Sequence, residues 1–195
     1  MNDGDPYLIP GTNVLRNNFG VTIQAQLDDI ERRITSLRVA ELRARPIPGA
    51  YDFDHLCAFH RHIFQDVYDW AGTVRTTNLA KGRSVFCLAA HLASSAEAVF
   101  SALKDEAPLS KDRPTAATRI AHHLAEVNAL HPFREGNGRA QRAFFWQFAI
   151  EQGWELRWDG VDPDENVAAF QESMHSGNGR LSRLVETLLA PVLPV

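Results

Sequence analysis

From position 131 to 142 the chain reads His-Pro-Phe-Arg-Glu-Gly-Asn-Gly-Arg-Ala-Gln-Arg, and these residue types at this spacing suit phosphate chemistry at neutral pH. His131 titrates nearest neutrality and can take a proton from an attacking hydroxyl. Gly136 and Gly138 let a backbone approach a ligand closely, and a helix beginning near Asn137-Gly138 would aim free N–H groups and the positive end of its dipole at an anion. Arg139 and Arg142, spaced i, i+3, can put both guanidinium groups on one side and clamp phosphate oxygens. Glu135 supplies one hard oxygen, which is how Mg²⁺ is commonly held when phosphates and waters complete the octahedron. Together they point to nucleotide phosphoryl or nucleotidyl transfer. A Gly-Asn-Gly turn can also be a plain helix connection, but a connection needs none of the histidine, the acid and the two arginines.

The elements that must position this segment follow from periodicity and breakers. The first ~20 residues, rich in Pro, Gly, Asn and Asp, form an irregular arm anchored by Tyr7, Leu8 and Ile9. An apolar stripe at Leu27, Ile30, Ile34 and Leu37 predicts a helix ending before Pro46-Ile47-Pro48-Gly49. Leu56, Phe59, Ile63 and Val67 mark a second, with Asp52 or Asp54 as its cap. The β-branched run Thr73–Leu79, the turn Lys81-Gly82 and Ser84–Phe86 predict one short hairpin, with Arg83 also at its tip. Leu92, Ala96, Val99 and Leu103 restore helical spacing, and the clearest helix opens at Pro114 and stops at His131-Pro132. Ala140, Phe144, Phe145 and Phe148 resume the stripe until Gly153. Two shorter helices close the chain, one capped by Asp162-Pro163 ahead of Val167 and Phe170, one carrying Leu181, Leu184, Val185 and Leu188. The expected architecture is all-α, about seven helices with one short β-hairpin, as a single domain over 1–195.

With 195 residues, 20 Lys+Arg against 24 Asp+Glu, two Cys and 45% hydrophobic residues, the chain can bury a substantial core without disulfides. The mild acidity argues against direct nucleic-acid binding. Cys57 and Cys87 stand in apolar surroundings with no metal-ligand spacing and are read as reduced, buried and inert. No apolar run is long enough to span a bilayer and the N-terminus is acidic rather than signal-like, so a cytoplasmic protein without membrane contact is expected. His122 reads as a surface residue. Trp146, Trp154 and Trp158 read as core, with adenine stacking as a lesser alternative.

The 131–142 segment matches, position for position, the signature H-x-F-x-[D/E]-G-N-G-R-x-x-R of the Fic (filamentation induced by cAMP) family. Asp66-Val-Tyr-Asp-Trp-Ala-Gly-Thr-Val-Arg75 resembles the segment leading into that family's flap, and Asp5-Pro-Tyr-Leu-Ile-Pro-Gly11 resembles the N-terminal arm of bacterial Fic toxins. The resemblance implies a Fic domain with an arm over 1–22, a flap hairpin over 73–86 and a catalytic loop and helix start over 131–142. It implies protein adenylylation. His131 is then the general base, Phe133 a core anchor, Glu135 the Mg²⁺ ligand, Gly136, Asn137 and Gly138 the anion hole, and Arg139 and Arg142 the grip on the ATP phosphates. The flap, with Thr76, Thr77, Asn78, Leu79, Lys81 and Gly82, would dock the target segment by strand addition; a hairpin that merely covers an edge is the alternative.

Fic proteins are commonly restrained by a helix bearing [S/T]-x-x-x-E-[G/N], whose glutamate pairs with the second motif arginine, here Arg142. Glu165-Asn166 follows Val161 at the serine position and Glu135-Gly136 follows His131, so both fail; Ser182-Arg-Leu-Val-Glu186 is followed by Thr187. The resemblance then implies a toxin held by a small antitoxin that supplies the helix in trans, with DNA gyrase or topoisomerase IV subunits as targets. The alternatives are a catalytically silent nucleotide-binding or interaction module, or a Fic enzyme that transfers another phosphate-containing group.

Overall fold

At the centre of the computed structural model, which describes residues 4–82 and 84–192, lies helix α4 (Arg113–Leu130). Asp112 caps it by accepting from the Thr115 backbone N–H at 3.1 Å, and Pro114 occupies its first turn, where no N–H is needed. Ala116, Ala117, Ile120, Ala121, Leu124 and Val127 bury one broad face, and His123, Ala125 and Leu130 extend the buried arc past half its circumference. A helix apolar on so many sides must be covered on several. It is packed by α7 (Gly179–Leu188), α3 (Leu92–Lys104) and α5 (Asn137–Glu151), while α6 (Pro163–Ser173) lies against α7. On the other side of α5 lies α2 (Phe53–Phe64), with α1 (Gln24–Ala44) outside it. Asp52 caps α2 through the His55 N–H at 2.9 Å, as expected. The core between α2 and α5 is aromatic: Phe144 meets Tyr51, Phe59, Phe100 and Phe145 at centroid distances of 5.5, 5.6, 5.9 and 5.3 Å, all edge-to-face. Seven α-helices among the described residues make the domain all-α.

Four features differ from expectation. Leu37 is 69% exposed, because the buried seam of α1 runs through Leu27, Thr35 and Leu42, about a third of a turn away. Thr35 is there because its hydroxyl accepts from Arg139 at 3.2 Å. The hairpin is shorter than 73–86: only β1 (Ala80–Lys81) and β2 (Ser84–Val85) pair, and Thr73–Leu79 is irregular because the Arg75 side chain is buried and ties that stretch to the end of α4. A second antiparallel pair, β3 (Trp154–Leu156) with β4 (Leu189–Pro191), joins the stretch after α5 to the tail. Cys57 and Cys87 are half-buried and free, with the Cys57 thiol pushed up to about 11 by burial. Residues 1–3 of the arm and Arg83 lie outside the described residues. Among the described residues, no helix is long and apolar enough to cross a membrane.

Candidate active site

The chain must leave α4 and start α5 within a few residues, and two left-handed positions achieve it. His131 terminates α4 with φ 46°, its N–H still donating to the Val127 carbonyl at 3.2 Å. Gly136 opens α5 with φ 82°. Glycine is required there twice over: a side chain would be strained in that backbone region, and a Cβ would come within 2.3 Å of Phe64 Cζ. Asn137 staples the turn, accepting from the Phe133 N–H at 2.8 Å and donating to the Phe133 carbonyl at 2.7 Å. Its side chain is therefore fully used inside the loop, and only its backbone can serve an anion. No hydrogen bond among the described residues engages the backbone N–H of Asn137 or Gly138, so the first turn of α5 presents free donors. Phe133 is fully buried.

A cavity of about 440 Å³ opens over this turn. Its floor is His131, Glu135, Gly136, Gly138 and Arg142; Leu79, Lys81 and Phe86 form one wall, and Asn166 and Phe170 of α6 with Met174 at its C-terminal end another. His131 lies flat on Phe86, ring centroids 3.8 Å apart and planes 16° apart. Burial lowers its pKa to about 4; a backbone contact to Asn128 works weakly the other way, and the positive charges of Arg75 and Lys81 add to the lowering. Nδ1 is buried without a well-formed partner, and no protein group bonds Nε2. The ring is thus neutral at pH 7 and borders the cavity, as a general base must.

The two arginines have unequal surroundings. Arg139 donates to Glu31 of α1 at 2.5 Å and to Thr35 at 3.2 Å, lies 3.5 Å from Glu135, and spreads over the Phe64 ring at 4.7 Å. Glu31 also accepts from the Tyr68 hydroxyl. Arg142 has no carboxylate partner among the described residues, and burial, with Arg139 second, lowers its pKa. A half-buried cation without a protein anion favours the arrival of one. The Glu135 carboxylate is half exposed at the cavity mouth and accepts from the Gly136 N–H at 2.8 Å.

Of the residues expected in a docking flap, Lys81 and Gly82 are exposed on the hairpin and Leu79 lines the cavity. Thr76 donates its N–H to the Tyr7 hydroxyl at 3.1 Å, Thr77 offers its carbonyl to Arg75 at 2.5 Å, and Asn78 accepts from the Ala89 N–H at 2.9 Å, so this stretch is held in place while Thr76 and Asn78 remain exposed. The arm also reaches the signature loop, where Asp5 pairs with Arg134 at 2.9 Å. Trp154 is buried and donates to the Ser110 carbonyl at 2.9 Å, while Trp146 and Trp158 line a separate groove between α1 and α5; none borders the cavity over α5. His122 is exposed.

Three contributors had no legible signal in the sequence. Glu31 looks like any charge on a solvated helix. Arg75 sits in a β-branched run, yet its guanidinium donates to the carbonyls of His131 at 2.7 Å and Leu130 at 3.2 Å, and to those of Thr77 and Cys87. His60 stands on the apolar face of α2.

A helix N-terminus with free donors, an unpaired arginine and a neutral histidine around one cavity define a helical enzyme that works on the phosphates of a nucleotide. The Fic/DOC family pattern matches residues 50–149. The probable protein adenylyltransferase Fic of Salmonella typhimurium is 39% identical over 182 residues, 92% of this chain and 88% of that protein. The protein adenylyltransferase VbhT of Bartonella schoenbuchensis is 37% identical over 182 residues, which is 93% of this chain but only 38% of VbhT. The BepC effector of Bartonella tribocorum, solved with bound AMPPNP, has the same fold, with a TM-score of 0.90 at 21% identity over 95% of this chain and 96% of that one. The chain belongs to the Fic/DOC family, a nucleotidyltransferase by class.

Proposed function

We propose that this chain transfers AMP from ATP to a hydroxyl of another protein. The observation that carries the reading is the neutral His131 ring on the same cavity as the free N–H groups of Asn137 and Gly138 and the unpaired Arg142. The triphosphate sits on the first turn of α5, its β- and γ-oxygens facing those N–H groups and Arg142, with Arg139, which lines the neighbouring groove between α1 and α5, at its edge. The base occupies the wall that α6 and its C-terminal end provide at Asn166, Phe170 and Met174. His131 Nε2 takes the proton of the target hydroxyl as its oxygen attacks the α-phosphorus. The bond from the α-phosphorus to the bridging oxygen breaks on the opposite side, and pyrophosphate leaves with the negative charge already stabilised.

No trio of metal-ligating side chains exists among the described residues, so a divalent ion would be held mainly by the nucleotide. The single carboxylate of Glu135 at the cavity mouth fits an Mg²⁺ carried on phosphates, and such an ion would neutralise charge on the leaving group. The hairpin, with Val85 and Leu88 exposed beside it, would receive the target segment.

A small antitoxin protein completes the proposal. The groove of about 370 Å³ lined by Val39, Ala40, Arg43, Arg142 and Trp146 would accept a helix whose glutamate reaches Arg142.

The test is incubation with labelled ATP, Mg²⁺ and bacterial lysate, with gyrase and topoisomerase IV subunits as first purified candidates. Wild type labels a protein band, and His131→Ala reduces the rate by about 10²-fold or more. Nucleotide binding without any label transfer by wild type would identify a silent module, and transfer that survives His131→Ala would remove His131 as base.

A further inference from the structure

His60 is completely buried in the middle of α2 and is outside the signature, yet both of its ring nitrogens are engaged around the site. The Gly72 backbone N–H donates to Nδ1 at 2.8 Å, so Nδ1 carries the lone pair and the ring proton is on Nε2. Nε2 lies 2.9 Å from the carbonyl oxygen of Glu135 and donates to it. The ring cannot turn away from these partners. Phe133 is stacked on one side at 3.9 Å and Phe64 at 4.6 Å, each with planes 24° apart. The column continues to the phosphate side, where Arg139 spreads over Phe64 at 4.7 Å.

The acceptor of that bond is what gives His60 a role beyond packing. The Glu135 carbonyl belongs to the peptide plane that ends at the Gly136 nitrogen. Fixing that plane fixes the left-handed start of α5, because the Gly136 carbonyl in turn accepts from the N–H groups of Arg139 and Ala140 at 3.1 Å. The directions of the free Asn137 and Gly138 N–H groups follow from it. We propose that His60 is a positioning residue of the phosphate site, a fixed-tautomer link that ties the segment entering the hairpin at Gly72 to the peptide plane that opens α5. It touches no ligand itself. It holds the donors of α5 in the orientation an anion meets, so that less is lost in ordering them on binding.

The inference rests on the nucleotide reading only for the identity of the probe, and its tests separate the two. In the wild-type protein, ¹⁵N NMR of the His60 ring is expected to show the Nε2–H tautomer unchanged from pH 6 to 8, with a slowly exchanging proton; an Nδ1–H tautomer or a fast-exchanging ring overturns the proposal whatever the protein binds. His60→Gln can still donate to the Glu135 carbonyl, whereas His60→Phe keeps the stack and loses both bonds. With AMPPNP and Mg²⁺ as probe, His60→Phe is expected to bind about 10-fold or more weakly than wild type while still melting cooperatively, and His60→Gln to recover most of that loss. Equal affinity of His60→Phe and wild type, or equal losses in both variants, overturns the positioning role. Should His60→Phe fail to fold, the comparison of His60→Gln with wild type and the ring tautomer decide the matter: binding within about 3-fold supports the proposal and a 10-fold loss in folded His60→Gln overturns it. Absence of AMPPNP binding by wild type would instead remove the nucleotide reading and leave the tautomer result standing.

Discussion

Replacing Gly136 by alanine adds one methyl group at the point where loop geometry, core packing and anion binding meet. Two costs can be worked from the structure. The backbone there has φ 82°, and an L-residue held in that region costs about 1–2 kcal/mol. The new Cβ would lie 2.3 and 2.4 Å from Cζ and Cε2 of Phe64, a ring with no exposure and with His60 stacked 4.6 Å beneath it, so the ring has nowhere to retreat. Forcing an extra methyl into such packing costs about 1–3 kcal/mol. Gly136→Ala is therefore expected to lose about 2–5 kcal/mol in urea unfolding and to lower Tm by about 5–15 °C for a chain of this size. Phe64→Leu removes the ring atoms that the methyl strikes but leaves the backbone strain. In that background Gly136→Ala should cost only the left-handed share, giving a coupling of about 1–3 kcal/mol in a double-mutant cycle. AMPPNP binding should fall in both alanine variants, because the strain twists the first turn of α5. A Gly136→Ala protein within about 0.5 kcal/mol of wild type would refute the reasoning. So would an identical cost in the Phe64→Leu background.

Two further outcomes follow from the buried groups. Burial lowers the pKa of His60 and of His131 to about 4 and also lowers that of His123. The unfolded chain binds protons at these positions below about pH 6.5 while the native state does not, so unfolding takes up protons and stability must fall as pH drops from about 6.5 toward 4. His60 alone accounts for on the order of 3 kcal/mol across that window, His131 for less because its ring borders the open cavity; urea titrations at pH 7.5, 6 and 5 that superimpose would contradict this. Arg75→Lys keeps the charge but one ammonium cannot satisfy the carbonyls of Thr77, Cys87, Leu130 and His131 together, so a loss of about 2–4 kcal/mol is expected in chemical unfolding. Unchanged stability would mean the guanidinium fork is not what holds the hairpin segment to α4.

What could be read from the chain, and what could not, divides along sequence distance. The 131–142 segment is local, so the turn between two helices, the helix start with its free N–H groups and the histidine that ends α4 were all legible from residue types and spacing. Helix positions were legible too, because caps such as Asp52 and Asp162 and the period of buried residues are local signals. The face of α1 was not. Its seam is set by Arg139, over a hundred positions further on, which makes a threonine the buried residue and leaves Leu37 in solvent. Thr73–Leu79 has the composition of a strand, but a strand needs a ladder, and Arg75 commits that segment to carbonyls at the end of α4 instead. The pairing of Trp154–Leu156 with Leu189–Pro191 is invisible for a similar reason: three residues carry no period, and the partner lies at the end of the chain. His60 and Glu31 act on the site only through the fold.

Glu31 also bears on how the two signature arginines divide their work. The i, i+3 spacing of Arg139 and Arg142 suggests a paired clamp, but their surroundings are asymmetric. Arg139 is held from three sides by Glu31, Thr35 and the face of Phe64, and its charge is already met by a carboxylate at 2.5 Å. Its geometry is set before any ligand arrives, and the free energy it can add to an anion is reduced by the partner it keeps. Arg142 is half-buried, unpaired among the described residues and depressed in pKa by burial and by Arg139, so a phosphate arriving there would relieve a cost present in the free protein. On the proposed nucleotide reading, the larger share of anion affinity would belong to Arg142. The same reasoning explains why a carboxylate brought to Arg142 by a partner would be an economical inhibitor. It removes the one cation that the free site leaves unmatched, and it need not displace Arg139 from Glu31.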